Sequence, residues 1–263
     1  MTFAMRYGPW ALVVGASDGL GAAFADELAA RGVNVVLAAR RAAMLDDVAL
    51  RLRTAHGVDT RVVAVDLAAP DGVSRIVDVI DSLDIGLLVC NPAYGPIGPF
   101  LELTPEQLDA TLELNCRSAA RLTHAVGPRL VARGHGGIVL LGSVASMQGT
   151  ALVAQYAATK AYLRVLAEGL WSELKPRGVD VLASCPGLVR TPTYEAGAPS
   201  KSRLAPAPMR PRAVARQTFD ALGRQPVLFA GLPNRLGVLA LKFLPRRTAI
   251  ALVSSQTRAM YRP

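Results

Sequence analysis

Six short runs of the chain are apolar almost throughout: WALVVG (10–15), VNVVLAAR (33–40), TRVVAVDL (60–67), IGLLVCN (85–91), GIVLLGS (137–143) and VDVLASCPG (179–187). Continuous apolar runs, rather than alternating ones, predict strands covered on both faces. Between them lie helix-compatible stretches over 19–32, 41–57, 70–83, 105–132 and 154–174. The first two are closed by Gly32 and Gly57, where a helix stop signal is expected. Strands that alternate with helices imply right-handed crossovers. The fold class is therefore α/β, with a doubly wound parallel sheet. A further helix over 212–223 and a strand at PVLFAG (226–231) bring the expected sheet to about seven strands.

After Thr191 the texture changes. TPTYEAGAPSKSRLAPAPMRPR (191–212) is rich in Pro, Ala and Arg and reads as a loop or lid on the substrate side. Residues 232–263 are apolar and basic, with prolines at 233, 245 and 263, and fit one or two short helices. A chain of 263 residues with 51% hydrophobic content can bury one sizeable core, so residues 1–263 are expected to form a single domain. The charge is uneven. From Lys201 onward there are twelve Lys or Arg against one acid, whereas residues 1–200 carry seventeen bases and nineteen acids. The overall +9 thus belongs to the tail. Cys90, Cys116 and Cys185 are isolated and odd in number, which points to a reducing, cytoplasmic setting. His56, His124 and His135 form no ligand pattern, so no metal is expected. No signal peptide or membrane span is read from the sequence.

The first strand runs into GASDGLG and then directly into a helix. Gly15 permits the turn out of the strand, and Gly19 and Gly21 let backbone come close to a ligand. The helix N-terminus offers free N–H groups to a pyrophosphate. The bland reading is a helix cap; the strand–turn–helix context favours the phosphate cradle. The second strand ends in Arg40 and Arg41 with no carboxylate. A guanidinium can fork a 2′-phosphate, and Ser17 could add a hydroxyl, so NADP(H) is favoured over NAD(H). The bland reading of the two arginines is a solvated pair.

YAATK places Tyr156 and Lys160 on one helix face. An ammonium nearby is expected to stabilise phenolate and pull the phenol toward neutrality, fitting it for acid–base work. Ser143 ends the fifth strand and Asn115 lies in the preceding long helix. With these motifs in this order, residues 10–192 resemble the short-chain dehydrogenase/reductase family in its compact Rossmann-fold form. The resemblance implies that Tyr156 is the general acid/base. Lys160 would tune it and hold the nicotinamide ribose, Ser143 would hydrogen-bond the substrate oxygen, and Asn115 would anchor a water leading to Lys160. It further implies cofactor contacts from Leu20, Asp66, Leu67, Asn91, Pro186, Gly187, Val189 and Thr191, with Asp66 at the adenine and Thr191 at the carboxamide.

One departure stands out. CNPAYG replaces the family's N-N-A-G after the fourth strand, so Pro92 loses a backbone donor and Ala93 stands where glycine is usual. The implied activity is hydride transfer between NADP(H) and a carbonyl or secondary alcohol. The alternative is a non-catalytic NADP(H)-binding sensor or scaffold on the same fold. Met147, Leu152 and Val153 make the loop after the fifth strand apolar, which suits a lipophilic ketone. YGPIGPF and the tail look like a branch that includes steroid and long-chain 3-oxoacyl reductases. The tail itself has three readings: a solvated terminus, peripheral association with an anionic membrane, or an oligomer contact. Nucleic-acid binding is not expected at 5% aromatic content. The family resemblance implies a homodimer or homotetramer.

Overall fold

The structure is a computed structural model that describes residues 1–196 and 206–261. Helix α1 (Phe3–Tyr7) precedes β1 (Trp10–Val14). Helix α2 (Gly19–Ala30) leads to β2 (Asn34–Ala39), α3 (Ala42–His56) to β3 (Thr60–Ala64), and α4 (Gly72–Ile80) to β4 (Ile85–Cys90). The second half runs α5 (Pro105–Leu112), α6 (Ser118–Arg133), β5 (Gly136–Leu141), α7 (Ala154–Leu174) and β6 (Val179–Cys185). It ends with α8 (Pro192–Ala196), α9 (Pro211–Ala221), β7 (Val227–Phe229), α10 (Leu232–Lys242) and α11 (Arg246–Tyr261).

The seven strands form one parallel sheet in the order β3-β2-β1-β4-β5-β6-β7. Side chains alternate across each strand, so β1 feeds two cores. Ala11 and Val13 join Phe24, Leu28, Leu45 and Phe219 beneath α2, α3 and α9. Leu12 and Val14 join Ile76, Leu122, Val126 and Leu163 beneath α4, α6 and α7. This is why the strands read as unbroken apolar runs: both faces exclude water. The direction of chain crossover reverses beside β1, between β2 and β4. The carboxyl ends there leave a crevice of the kind where open α/β sheets hold ligands.

Several expectations need revision. The helix expected over 105–132 is not continuous. A capping box of Thr104 and Gln107, with Pro105 in the first turn, starts α5. A π turn over Glu113–Arg117 then separates α5 from α6. The wide turn holds Asn115 inward, where it bonds the backbone of Tyr94. The strand at 179–187 stops at Cys185, because Pro186 cannot donate to the ladder. Part of the 191–212 segment, residues 197–205, lies outside the described residues. The rest forms α8 and a single bridge between Val189 and Met209. The tail forms two helices, of which α11, at 16 residues, is longer than expected.

The N-terminal helix α1 was not foreseen either. It is tied to the amino end of β6: the Tyr7 hydroxyl and Arg6 Nε both donate to Asp180 Oδ2 at 2.7 Å. Burial and the adjacent carboxylate push the Tyr7 phenol well above its ordinary range. Removing the acceptor in Asp180→Ala strands a buried hydroxyl, while Arg6 is open enough to find water. The expected loss is about 2 kcal/mol in urea unfolding. Turnover of the folded variant should be unchanged, since Asp180 sits at the sheet edge opposite the crevice.

Candidate active site

The crevice begins at the turn after β1. Gly15 and Gly19 adopt φ of +78° and +51°, a region that side chains other than glycine enter at a cost. A side chain on Gly21 would strike the Gly15 carbonyl, and one on Gly15 would lie 2.9 Å from the Pro92 nitrogen. The Asn91 amide donates to the Gly15 carbonyl at 3.0 Å, tying the turn to the end of β4. Pro92 therefore packs directly on Gly15. Among the described residues Ala93 takes no positive φ, so the CNPAYG departure does not strain the backbone at that position.

Asp18 stands at the cap position of α2 but makes no side-chain bond to the helix. Its carboxylate is held instead by Arg41 at 2.7 Å, and Arg41 also donates to Ser17 Oγ at 2.8 Å. The first N–H groups of α2 are left without a side-chain cap, as a phosphate cradle requires. Thr191 faces the same turn, with its Cβ 3.1 Å from where a Gly19 side chain would begin. Leu20 packs on the adjacent core. Of the two arginines expected at a 2′-phosphate, Arg41 pairs with Asp18 and bonds Ser17, while Arg40 is exposed at the end of β2 and makes no ion pair with a described residue. Asp66 is exposed after β3 and accepts from the Ala68 N–H at 3.0 Å, while Leu67 beside it is buried. This glycine turn, uncapped helix end and open Arg40 fit a dinucleotide.

On α7, Tyr156 and Lys160 are one turn apart and meet. Lys160 is fully buried; its Nζ donates to the Leu141 carbonyl at 2.6 Å and lies 5.6 Å from the Tyr156 ring centroid. Burial lowers the Lys160 pKa to about 8, opposed by Cys185 and Cys116. The phenol differs from expectation. Burial raises Tyr156 to about 12; the Ser143 hydroxyl pulls it down, and Tyr261 and Cys185 push it further up. Desolvation opposes phenolate and ammonium alike, and it is the largest influence on both groups.

Ser143 follows β5 and caps a 3₁₀ turn, Val144–Met147, accepting from the Ala145 N–H at 3.1 Å. Val144 donates to the Pro186 carbonyl at 3.0 Å, which draws the loop after β6 against the loop after β5. Gly187 is covered by Asn234 of α10, and Val189 bridges to Met209. Asn115 is buried, and both its amide hydrogens are committed, to the Tyr94 carbonyl at 2.7 Å and to Thr159 Oγ1 at 3.0 Å. Its Oδ1 accepts from the Tyr94 N–H at 2.8 Å, so only one lone pair of that oxygen remains for a water.

Sequence reasoning missed several participants. Gly95 lies on the Tyr156 ring, where an added side chain would come within 2.5 Å of Tyr156 Cδ2, and the backbone of Tyr94 beside it is held by Asn115. The glycine in YGPIGPF was the available signal. Leu152 adopts φ of +67°, unusual for a leucine, and its carbonyl accepts from the Gly98 N–H at 2.9 Å, joining two loops at the mouth. Helix α11 is latched to the same mouth. Ser254 Oγ accepts from the Ala151 N–H at 3.1 Å, Thr257 and Thr150 hydroxyls bond at 2.9 Å, and Arg246 donates to the Met147 carbonyl at 2.9 Å. No motif in the tail announced these contacts.

A family profile described as short chain dehydrogenase matches residues 9–201, and the chain belongs to that family of oxidoreductases. A 7beta-hydroxysteroid dehydrogenase of Clostridium sardiniense is 31% identical over 235 residues, covering 89% of this chain and 90% of that protein. A very-long-chain 3-oxoacyl-CoA reductase of Anas platyrhynchos is 31% identical over 262 residues, covering 97% of this chain and 82% of that one. A solved short-chain dehydrogenase from Sphingobium yanoikuyae in complex with NADPH superposes with a TM-score of 0.78 at 32% identity, covering 88% of this chain and 92% of that one.

Two outcomes test this geometry. Gly95→Ala should force the Tyr156 ring aside and lower kcat/KM by roughly tenfold or more, with cofactor affinity measured by fluorescence unchanged. Lys160→Met should relieve the cost of a buried ammonium. Because the folded pKa is depressed from 10.5 to about 8, the lysine's contribution is full above pH 10.5 and lost as pH falls through 8. The variant should therefore be more stable than wild type at pH 7, by on the order of 1–3 kcal/mol in urea unfolding, with the gain shrinking toward pH 10.

Proposed function

We propose that the protein is an NADP(H)-dependent oxidoreductase that interconverts a lipophilic ketone and its secondary alcohol. The observation that carries this reading is the placement of a buried Lys160 Nζ 5.6 Å from the ring of a half-buried Tyr156, whose hydroxyl meets that of Ser143. A bound nicotinamide supplies or accepts the hydride. The chain's own residues handle the proton and the charge. A phenol held at about 12 is fully protonated at neutral pH and ready to donate to a carbonyl oxygen, which favours the reductive direction. Ser143 donates to the same oxygen as negative charge develops there. Lys160, still mostly protonated at neutral pH, stabilises the phenolate left behind. Asn115 fixes Tyr94 and Thr159, so the ring and the lysine turn keep their places. The uncapped start of α2 takes the pyrophosphate, with Thr191 and Gly187 on the nicotinamide side and Asp66 toward the adenine. Arg40, free of Asp18, takes the 2′-phosphate while Arg41 orders Ser17.

Lipophilic substrates are supported by Met147, Leu152 and Val153 at the mouth and by relatives named for a hydroxysteroid and a very-long-chain 3-oxoacyl-CoA. A homodimer or homotetramer is supported by an apolar groove between α6 and α7, lined by Gly127, Pro128, Val131, Leu166, Leu170 and Leu174. This groove lies away from the catalytic side chains, so it fits a partner rather than the substrate. None of the described helices is long and apolar enough to cross a membrane; a cytoplasmic setting is supported by three free cysteines.

Tyr156→Phe should retain NADPH binding and lose ketone reduction by roughly 10²–10⁴-fold, measured by NADPH oxidation against a panel of lipophilic ketones. Binding with no turnover in the wild type would support a sensor instead. Reduction by the wild type should fall above pH 8, as Lys160 loses its proton. Arg40→Ala should weaken NADPH far more than NADH; equal losses would remove the role assigned to that side chain.

A further inference from the structure

Helix α10 is apolar on the wrong side. Its buried face carries Asn234 and Val238, packed toward Gly187 and Met209. The residues Leu232, Leu236, Leu239 and Phe243 are 66%, 57%, 52% and 81% exposed. At 3.6 residues per turn, these four fall within roughly 60° of one another, directly opposite the buried face. A solvent-facing helix surface is normally polar. This stripe instead continues into the exposed Leu244 at the turn before α11. Apolar area gathered in this way marks an interaction surface.

The surroundings indicate the partner. Arg235 and Lys242 flank one side of the stripe, and Arg246 and Arg247 follow it, all exposed. Arg235 bonds the Phe229 carbonyl through Nε and Arg246 the Met147 carbonyl through NH1, so both are ordered beside the stripe with charge to spare. From residue 201 onward the chain holds twelve bases and one acid. An apolar ridge edged by arginine and lysine on a helix that does not span a bilayer matches an anionic membrane surface: the leucines and phenylalanine enter the acyl boundary and the cations meet headgroup phosphates. A second copy of this chain would bring two such basic edges together.

We propose that α10 and the α10–α11 turn dock the protein on anionic lipid bilayers through Leu232, Leu236, Leu239 and Phe243. Docking sets the substrate mouth at the lipid boundary, because Arg246 at the far end of the stripe is bonded to the loop after β5. The proposal does not depend on the catalytic reading.

The test is flotation of the purified full chain with phosphatidylcholine vesicles, with and without phosphatidylserine. The wild type should float with the serine-containing vesicles and far less with phosphatidylcholine alone, and high salt should weaken binding. Leu236→Asp/Phe243→Asp should reduce the bound fraction by roughly tenfold or more, with thermal melting and NADPH binding unchanged. Should that pair unfold, Lys242→Glu/Arg247→Glu supplies a second variant that should also stay in solution. Failure of the wild type to float overturns the proposal. So does binding that neither pair of substitutions lowers, or a wild-type dimer, seen by light scattering, that Leu236→Asp/Phe243→Asp dissolves, since the stripe would then be a contact between copies.

Discussion

The structure depends on keeping one lysine out of water. Lys160 lies buried under α7 with a single strong acceptor, the Leu141 carbonyl, and no carboxylate beside it. An uncompensated ammonium in such a place is expensive, and the depressed pKa records that cost. The rest of the fold must over-determine the position. α7 is the longest helix, at 21 residues, and it packs Leu163 and Ala167 into the core beneath β4, β5 and β6. The lysine cannot retreat without disrupting that core. Its partner phenol is half-buried beside it, and the loss of water there favours the protonated form. A protonated phenol and a cation near its titration point thus stand side by side, held by packing rather than by an ion pair.

Around this pair the parallel sheet gathers the other groups. Because all seven strands run one way, their carboxyl ends deliver the turns after β1, β4, β5 and β6 to one edge. Two asparagines then fasten those turns. Asn91 ties β4 to the glycine turn, and Asn115 ties the 94–95 loop to α7 through Thr159. Both remove freedom from the backbone that lines the crevice.

Strand positions, the sheet direction and the Tyr156–Lys160 meeting were legible because they follow from periodicity, and periodicity survives in a single sequence. What was not legible depends on contacts distant in the chain. The π turn at Asn115 has no local signature, since its cause is the Tyr94 backbone 21 residues earlier. The pairing of Arg41 with Asp18 and Ser17 requires knowing that β2 ends beside the first turn. The direction of the Tyr156 shift was misjudged because spacing reveals a neighbour but not the water that is missing. The latch of α11 on residues 147–151 joins segments about a hundred residues apart, and hydroxyl pairs such as Thr150 and Thr257 carry no pattern.

Charge is distributed to suit these constraints. The body that carries the nucleotide crevice is close to neutral, with seventeen bases and nineteen acids before residue 201. Within it, Asp18 beside the glycine turn would repel a phosphate if left alone. Arg41 cancels that repulsion locally, at 2.7 Å, and so leaves Arg40 as the net positive group at the end of β2. A phosphate bound at that end of the sheet would meet one unpaired cation against a near-neutral background. The basic excess after residue 200 is split by β7, with six Lys or Arg before the strand and six after it, where no acid balances them.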